Sequence, residues 1–373
     1  MAMSVDRQAV LGALSTVKDP DLGKDLVSLN MIQDLDIQGE RVSFRVVLTT
    51  PACPMKAKIE ADCRNAVGAV AGVRDIQVKM DSQVRSRGNQ IAAKNAIPGV
   101  QNIIAVSSGK GGVGKSTVSV NLATALALEG ARVGLMDADI YGPNIPTMMG
   151  VIDGPKIIQR PGPQGVQEVF VPPVAHGVKV MSMGFLTQGD QPMIWRGPML
   201  HNVVNQFCHM VDWGQLDYLV VDMPPGTGDV QLSLAQLVPV AGTVMVTTPQ
   251  EVALQDVRKA FHMWDKVKIP VVGVVENMSY FMCGNCSTKH ELFGSGGGEM
   301  LQRKLGTPLL AKLPIVPTVR QGGDEGTPAV LWDRKSEISQ AFVGLARTVA
   351  QKISILTAQS VDPRQIVQIG RFD

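Results

Sequence analysis

The stretch Gly-Lys-Gly-Gly-Val-Gly-Lys-Ser-Thr at residues 109–117 determines the fold that this sequence predicts. It matches the pattern G-x-x-x-x-G-K-S/T at every position, and it lies between a strand candidate, Ile103–Ser107, and a helix candidate, Ser116–Glu129. Glycines allow backbone N–H groups to turn inward around phosphate oxygens, and the helix contributes its positive N-terminal end. The stretch therefore predicts a loop that binds the phosphates of a nucleotide.

Two side chains at the end of this loop have separate expected tasks. Lys115 is expected to neutralise the β and γ phosphates, and the Ser116 hydroxyl to ligate Mg²⁺. The sequence thus predicts a protein that binds and hydrolyses ATP. The residues expected to contact ATP through the loop are Gly109, Lys110, Gly111, Gly112, Val113, Gly114, Lys115, Ser116 and Thr117.

Acidic residues follow two other apolar runs. Asp137 and Asp139 come directly after one run, and Asp222 ends another. Carboxylates at the carboxyl ends of parallel strands face the ligand crevice. We expect Asp222 to hold Mg²⁺ through water. Gly226 is expected to offer a backbone N–H to the γ-phosphate, which makes this segment a candidate switch.

Apolar runs and helical segments alternate around the loop. Near-continuous Val/Ile/Leu runs separated by helices indicate an α/β fold with a mostly parallel sheet that is covered by helices on both faces. The Gly- and Pro-rich segment 151–177 is expected to be an irregular insertion. The other strand candidates are Arg132–Met136, Val178–Met183, Tyr218–Asp222, Thr243–Thr247, Val271–Glu276 and Leu309–Leu313, and the other clear helix candidates are Pro198–Val211 and Val252–Lys266.

The first 80 residues have a pattern of their own. Their predicted order is helix, strand, strand, helix, strand, with the first strand over Leu26–Ile37, which indicates a small α+β domain. A polar stretch that ends at Pro98-Gly99 indicates a linker. The expected division is a small domain at 1–80, a linker at 81–98, a phosphate-loop domain at 99–357 and a tail at 358–373.

The composition of the chain argues against some classes of binding partner. The 373 residues are 45% apolar and 18% charged, and the net charge is +2, so nothing favours nucleic acid or an anionic membrane as a partner. No apolar run approaches the length of about 18 residues that spans a membrane, and the N-terminus resembles neither a signal nor a transit peptide. We therefore expect a cytoplasmic protein.

Two of the five cysteines have the spacing of metal ligands. Cys283 and Cys286 form a C-x-x-C in a Gly/Asn turn, where two thiolates can converge on one metal. One such pair is half a site, because an iron–sulfur cluster or a zinc ion needs four ligands. His290 could add a ligand to a zinc site, and a redox dithiol is a third interpretation.

Lys110 carries a first resemblance. A lysine at the second loop position, followed by Gly-Gly-Val, resembles the deviant phosphate-loop class of MinD/ParA proteins and the nitrogenase iron protein. That resemblance implies an ATP-sandwich homodimer in which Lys110 reaches the partner's nucleotide. It also implies that Asp139 orients the attacking water, that Asp137 lies near the metal, and that Asn277 contacts the adenine. From its position alone, Asn277 could equally be a turn residue.

Longer motifs narrow the resemblance. Met-Asp-Ala-Asp-Ile-Tyr-Gly-Pro-Asn-Ile-Pro at 136–146, Asp-Met-Pro-Pro-Gly-Thr-Gly-Asp at 222–229, and Val-Glu-Asn-Met-Ser ahead of the cysteines resemble the Mrp/ApbC family of iron–sulfur cluster carriers over about residues 100–355. The resemblance implies a 4Fe–4S cluster shared by Cys283 and Cys286 of two subunits. It also implies delivery of the cluster to apoproteins, exchange with scaffold proteins, and a need for ATP.

Two other functions use the same loop. A MinD/ParA-type positioning ATPase would need a membrane-binding tail or a basic DNA face; residues 351–373 contain no basic amphipathic helix, and the cysteine pair would be unexplained. A zinc-stabilised scaffold that binds nucleotide is the remaining alternative.

The N-terminal segment resembles the accessory domain of iron–sulfur assembly that precedes many Mrp-type ATPases. The residues that carry this resemblance are Lys-Asp-Pro-Asp-Leu-Gly at 18–23 and Thr-Thr-Pro-Ala-Cys-Pro at 49–54. Cys53 precedes a helix, whose N-terminal end favours a thiolate for cluster exchange; a small buried thiol is the equal alternative. Cys63 and Cys208 lie in helical patterns and are expected to pack in the core.

Overall fold

A computed structural model describes residues 5–86, 96–139, 142–162, 165–185, 197–226, 231, 237, 239–286 and 288–360. The chain folds into two units. One comprises residues 1–85 with 350–373, and the other comprises residues 86–349. Among the described residues, no helix combines the length and the apolar character that a membrane crossing requires. The cytoplasmic location stays a prediction.

The first unit contains a three-stranded sheet with two helices. Strands β1 and β2 are antiparallel, and β2 and β3 are parallel from Arg41 opposite Asp75 to Leu48 opposite Ser82. The predicted order of these five elements is confirmed. They are α1 Arg7–Leu14, β1 Ile32–Gln38, β2 Arg41–Leu48, α2 Lys56–Gly68 and β3 Asp75–Ser82.

The first strand of this unit begins later than predicted. The sequence predicts a strand over Leu26–Ile37, but residues 26–30 form turns and the strand begins at Ile32. The Asp25 carboxylate accepts a hydrogen bond from the Ser28 N–H at 2.8 Å, and Asn30 has a φ of 55°. Aspartate and asparagine stabilise turns in this way, so the apolar residues of the segment enter the core without forming a strand.

The second unit alternates strands and helices, as predicted. Its elements, in chain order, are β4 Val100–Ser108, α3 Lys115–Leu128, β5 Val133–Asp137, α4 Ile145–Met148, β6 Lys156–Gly162, β7 Gly165–Val171, β8 Val174–Ala175, β9 Val178–Ser182, α5 Gly197–His209, β10 Leu216–Asp222, β11 Val240–Thr247, α6 Glu251–Lys266, β12 Val271–Glu276, β13 Phe281–Met282, β14 Lys289–His290, α7 Gly297–Leu305, β15 Leu309–Lys312, α8 Pro317–Glu325, α9 Ala329–Trp332 and the first part of α10 Glu337–Ser360.

Eight of these strands form one sheet in the order β15-β12-β11-β4-β10-β5-β9-β8. All neighbouring pairs are parallel except β8 with β9. The central strands are buried along their whole length, which matches their Val/Ile/Leu sequences. The predicted α/β fold with a mostly parallel sheet is confirmed. Because the strands run in one direction, their carboxyl ends bring Ser108, Asp137 and Asp222 to the same edge.

The segment predicted to be an irregular insertion contains a β-hairpin. β6 and β7 pair antiparallel from Lys156 opposite Val171 to Gly162 opposite Gly165, so the prediction for residues 151–177 is wrong there. Glycine and proline at its centre indicate a break, but Pro161 lies at the end of a strand outside the main sheet, where proline is tolerated.

Candidate functional site

The loop at 109–114 joins β4 to α3 and depends on two glycines. Gly114 has a φ of 81° and precedes the first residue of α3. A Cβ at Gly114 would lie 2.2 Å from the Asn277 side-chain nitrogen, and one at Gly109 would lie 2.2 Å from the backbone carbon of Asp256 on α6. The loop is therefore folded against β12 and α6 at distances that only glycine permits.

Lys115 lies in a buried group of polar side chains at the start of α3. Its ammonium donates to Asp222 at 2.7 Å and lies 3.6 Å from an Asp139 oxygen. The Ser116 hydroxyl donates to the same Asp222 oxygen at 2.6 Å. Lys115 is 6% exposed and Asp222 is fully buried, so removal of either partner would leave the other buried without its ion pair.

Ser119 belongs to this group and was missed from the sequence. Its hydroxyl donates to the second Asp222 oxygen at 2.6 Å, and Asp222 thus accepts from Lys115, Ser116 and Ser119. A signal was present, because Ser119 is one helical turn after Lys115 and lies on the same side of α3.

Asp137 is the other buried carboxylate at this edge. It lies opposite Asp222 in the β5–β10 pairing and accepts from the Ser182 hydroxyl at 2.8 Å and the Asp139 N–H at 3.1 Å. Burial, and then the neighbouring Asp222 charge, raise the pKa of Asp137 to about 8. The protonated form of Asp137 is therefore favoured more than in an exposed aspartate. Ser182 was also missed, although it ends β9 at the position opposite Asp137.

Asp139 and Lys110 differ in their surroundings. Asp139 is 9% exposed and faces Lys115, so the structure brings it together with Lys115 and Asp222. Lys110 is half-buried, and its carbonyl accepts from the Ser108 hydroxyl at 2.9 Å. Within the described part of the chain, the Lys110 ammonium has no carboxylate partner. Lys110 is thus separate from the ion pairs around Lys115.

Gly226 is close to the loop, but its N–H has a partner in this structure. It donates to the Ser108 carbonyl at 3.1 Å, and Gly226 has a φ of 91°. A contact between this N–H and a phosphate would require the hydrogen bond to Ser108 to break. The residues that follow, 227–230, lie outside the described part of the chain.

Asn277 connects β12 to the loop and to a cavity. Its side-chain amide donates to the Val113 carbonyl at 2.9 Å, and its backbone N–H donates to the Thr247 carbonyl at 2.8 Å. Asn277 and Thr117 also line a cavity of about 520 Å³ together with Met278, Phe293 and residues of the 314–324 segment. The cavity is next to the loop and largely apolar, which suits a flat heterocyclic base.

The cysteine pair lies at a turn between two short strands. β13 and β14 pair antiparallel, with Phe281 opposite His290, and the Cys283 N–H donates to the Thr288 carbonyl at 3.0 Å. Cys286 is exposed, and its sulfur is 3.2 Å from the Thr288 hydroxyl. Hydrogen bonds from the Thr288 side chain and backbone, with a smaller effect from Cys283, lower the pKa of Cys286. Its thiolate is therefore favoured where a metal can reach it.

One chain presents two thiols at this turn. Among the described residues, no three His, Cys, Asp or Glu side chains come together as a group that could hold a metal ion. His290 is exposed on β14 and does not complete such a group with Cys283 and Cys286. The three-ligand zinc site left open by the sequence is therefore not assembled in this arrangement.

The other cysteines are less suited to metal exchange. Burial raises the pKa of Cys53, and this effect outweighs the N–H groups of Met55 and Lys56 at the start of α2. Cys53 itself is half-buried, and its two interpretations, a thiolate for cluster exchange and a small packed thiol, both stay predictions. Cys63 and Cys208 are buried, as predicted, and burial raises the pKa of each to about 12.

Gly114→Ala is expected to lower stability by about 2 kcal/mol, because alanine is strained at positive φ and its Cβ collides with Asn277. Gly111→Ala in the same loop is the control. A Cβ there has no neighbour within 4 Å, so its expected change is below about 0.5 kcal/mol. Thermal unfolding of the two variants measures the difference. Equal unfolding midpoints would contradict the close packing of the loop on β12.

Two family descriptions match this chain. Residues 99–350 match the family described as NUBPL iron-transfer P-loop NTPase, and residues 7–80 match the family described as iron–sulfur cluster assembly protein. The two matches follow the two patterns that the sequence shows.

Similar proteins cover most of the chain. An iron–sulfur cluster carrier protein of Synechocystis is 50% identical over 93% of this chain and 98% of its own length. An iron–sulfur cluster carrier protein of Escherichia coli is 41% identical over 93% of this chain and 92% of its own length. A chloroplastic Fe–S cluster assembly factor of Oryza sativa is 43% identical over 95% of this chain and 65% of its own. Among solved structures, a nucleotide-binding protein of Archaeoglobus fulgidus in complex with ADP is 36% identical, with a TM-score of 0.56, over 67% of this chain and 95% of that one.

Proposed function

Because this chain belongs to the family of NUBPL iron-transfer P-loop NTPases, we propose that it is an iron–sulfur cluster carrier that works as an ATP-hydrolysing homodimer. One observation carries the proposal. A pair of thiols, the half-buried Cys283 and the exposed Cys286, lies in the same unit as a phosphate loop with its buried lysine and carboxylates. A site that only binds nucleotide leaves the thiols unexplained, and a site that only binds metal leaves the loop unexplained.

The nucleotide-binding part of the proposal rests on the residues around Lys115. The phosphates of ATP compete with Asp222 for the Lys115 ammonium, so binding exchanges a buried ion pair for a lysine–phosphate contact. Loop residues 109–117 supply backbone N–H groups, and the cavity beside Thr117 and Asn277 takes the adenine. Asn277 then holds the loop through the Val113 carbonyl while it borders the base.

The donor set beside Lys115 also fits Mg²⁺. Two buried carboxylates, Asp137 and Asp222, lie beside one lysine, and burial together with the neighbouring Asp222 charge raises the pKa of Asp137. A hydroxyl and carboxylates are the ligands that Mg²⁺ accepts. Ser116, Asp137 and Asp222 are the residues that would hold it, directly or through water. When bound, Mg²⁺ neutralises charge on the phosphates, and its charge favours loss of the Asp137 proton.

Hydrolysis requires a residue that orients water and a cation at the γ-phosphate. Asp139 lies 3.6 Å from the Lys115 ammonium, which places its carboxylate beside the phosphate end of the loop. We assign it the orienting role. Lys110 has no carboxylate partner among the described residues and is free to reach the nucleotide of a second copy, where it acts as an arginine finger does in other NTPases. Release of the Gly226 N–H from Ser108 on ATP binding would make its segment a switch.

The cluster-binding part of the proposal also requires a second copy of the chain. One chain supplies two thiolates and a 4Fe–4S cluster needs four, so a two-fold axis beside the cysteine turn completes the site. The cluster is cargo in this proposal. Exposure of Cys286 allows the thiols of an apoprotein or a scaffold protein to replace it as ligand, because thiolate exchange requires access. Nucleic acid and membrane have no part in the proposed cycle.

Lys110→Ala is expected to abolish ATP-dependent dimer formation, because it removes the charge that reaches across the two-fold axis. Sedimentation of the protein with Mg²⁺ and a non-hydrolysable ATP analogue measures the dimer. Lys335→Ala, which removes an exposed lysine outside the loop, is the matched control and should dimerise like the unchanged protein. A Lys110→Ala protein that dimerises as well as the control would contradict the shared site.

A further inference from the structure

The residues between Ser279 and Gly298 leave the sheet after β12 and return to it at α7. This segment, which we term the cysteine loop, contains β13, the cysteine turn and β14, and all but residue 287 is described. Residues on both sides of its cysteine turn line the nucleotide cavity. Met278, directly ahead of the loop, and Phe293, three residues after β14, line that cavity. A base in the cavity would therefore border the chain on both sides of the cysteine turn.

Glu276 holds the two ends of the cysteine loop together. Its buried carboxylate accepts from the Ser279 hydroxyl at one end and from the Gly298 N–H, at 2.6 Å, at the other. Two hydrogen bonds to one buried charge fix the ends more firmly than neutral bonds would. The two ends of the cysteine loop are therefore tied to the same side chain.

The backbone at the first end is strained. Met278 has a φ of 54°, which few residues other than glycine adopt, and its neighbours hold it there. Asn277 is fixed by Val113 and Thr247, and the Ser279 N–H donates to the Leu313 carbonyl at 2.9 Å. Strain of this kind is maintained by surrounding contacts and is common where a segment has two arrangements.

Phe293 is an unusual cavity residue because much of its ring is exposed. It is 38% exposed, whereas Leu292 beside it is 57% exposed and does not line the cavity. A flat base in the cavity would cover the Phe293 ring and stack on it, which gives an exposed aromatic side chain a partner. Aromatic stacking accepts any base, so the contact sets affinity and position rather than the choice of base.

From these contacts we infer that Phe293 binds the nucleotide base and positions the cysteine loop, so that nucleotide binding changes the geometry of Cys283 and Cys286. The inference rests on the proposed nucleotide site, but it does not require a cluster. Coupling is reciprocal: whatever fixes the cysteines also changes the affinity for nucleotide by the same factor. Nucleotide binding would then change the affinity of the cysteines for a cluster, and cluster binding would change the affinity for nucleotide.

The test uses the full chain without a cluster, kept free of air. Titration calorimetry gives the affinity for ADP, and mass spectrometry follows the alkylation of Cys283 and Cys286 by iodoacetamide with and without saturating Mg·ADP. In the unchanged protein and in Leu292→Ala, ADP is expected to alter the alkylation rate by about fivefold or more. In Phe293→Ala the affinity falls roughly tenfold, and at saturating ADP the alkylation rate no longer responds. Phe293→Tyr, which keeps the aromatic ring, is expected to restore both the affinity for ADP and the response of the alkylation rate.

Other outcomes separate this inference from the proposed function. If ADP binds but leaves the alkylation rates of the unchanged protein as they were, or if Phe293→Ala keeps the full response, the inference is overturned and the carrier proposal stands. If the response depends on Phe293 but no cluster binds to Cys283 and Cys286, the inference stands and the carrier proposal fails. If ADP does not bind at all, both fail.

Discussion

Replacing Lys115 with alanine is expected to lower ATP turnover by at least about 10²- to 10³-fold. The substitution removes the only cation that the described structure places against both Asp222 and Asp139. The β and γ phosphates then meet two buried carboxylates without a compensating charge, so both binding and transition-state stabilisation are lost. Phosphate release from purified protein, at ATP concentrations above the Michaelis constant of the unchanged enzyme, measures the effect.

Controls for this variant must separate chemistry from folding. Without Lys115, the buried Asp222 loses its closest cation, which is expected to lower the stability of the fold as well as activity. Circular dichroism and thermal unfolding show whether the sheet persists, and Lys335→Ala corrects for a general loss of positive charge. Unchanged turnover in a folded Lys115→Ala protein would mean that the hydrolysis comes from another site or from a contaminating enzyme.

Replacing both Cys283 and Cys286 with alanine is expected to abolish cluster binding while leaving the fold and nucleotide binding intact. Both residues lie on a turn outside the core; Cys286 is exposed and Cys283 half-buried, so little packing is lost. Anaerobic reconstitution with iron and sulfide should give the unchanged protein an absorbance at roughly 400 nm that the double variant lacks.

Cys63→Ala is the matched control for the double variant. Its thiol is buried in α2, and burial raises its pKa to about 12, so it is a poor ligand. The control should therefore keep the full absorbance. Equal absorbance in the double variant would show that the cluster lies elsewhere, or that iron and sulfide had bound without a defined site.

Residue spacing alone predicts much of the fold and part of the site. The loop at 109–117 predicts the strand and helix on either side of it, and the positions of Asp137 and Asp222 after apolar runs predict their place at the sheet edge. These predictions succeed because the parallel sheet converts position along a strand into position in space.

The features of the fold and the site that were not predicted depend on contacts between residues far apart in the sequence. Ser119 and Ser182 join the buried carboxylates through hydroxyl groups, and serines occur too widely to be singled out without the sheet register. Glu276 and Phe293 gain their positions only when the chain returns at Gly298. The β6–β7 hairpin was missed because glycine and proline mark both irregular loops and the ends of edge strands.

No specific observation favours the two alternative functions. A MinD/ParA-type positioning ATPase would account for the phosphate loop, but it assigns no role to Cys283, Cys286 or the lowered pKa of Cys286. A zinc-stabilised scaffold would account for the cysteines only with two further ligands, which a second copy would have to supply because the described residues of one chain do not. Both alternatives differ from the carrier proposal in what the cysteine pair binds.

The metal and sulfide content of the protein, purified without air or reconstituted under anaerobic conditions, tests the carrier proposal most directly. The proposal predicts about four iron and four sulfide per dimer, lost in the double cysteine variant, with little zinc. Tightly bound zinc at about one ion per dimer, with no uptake of iron and sulfide, would contradict it.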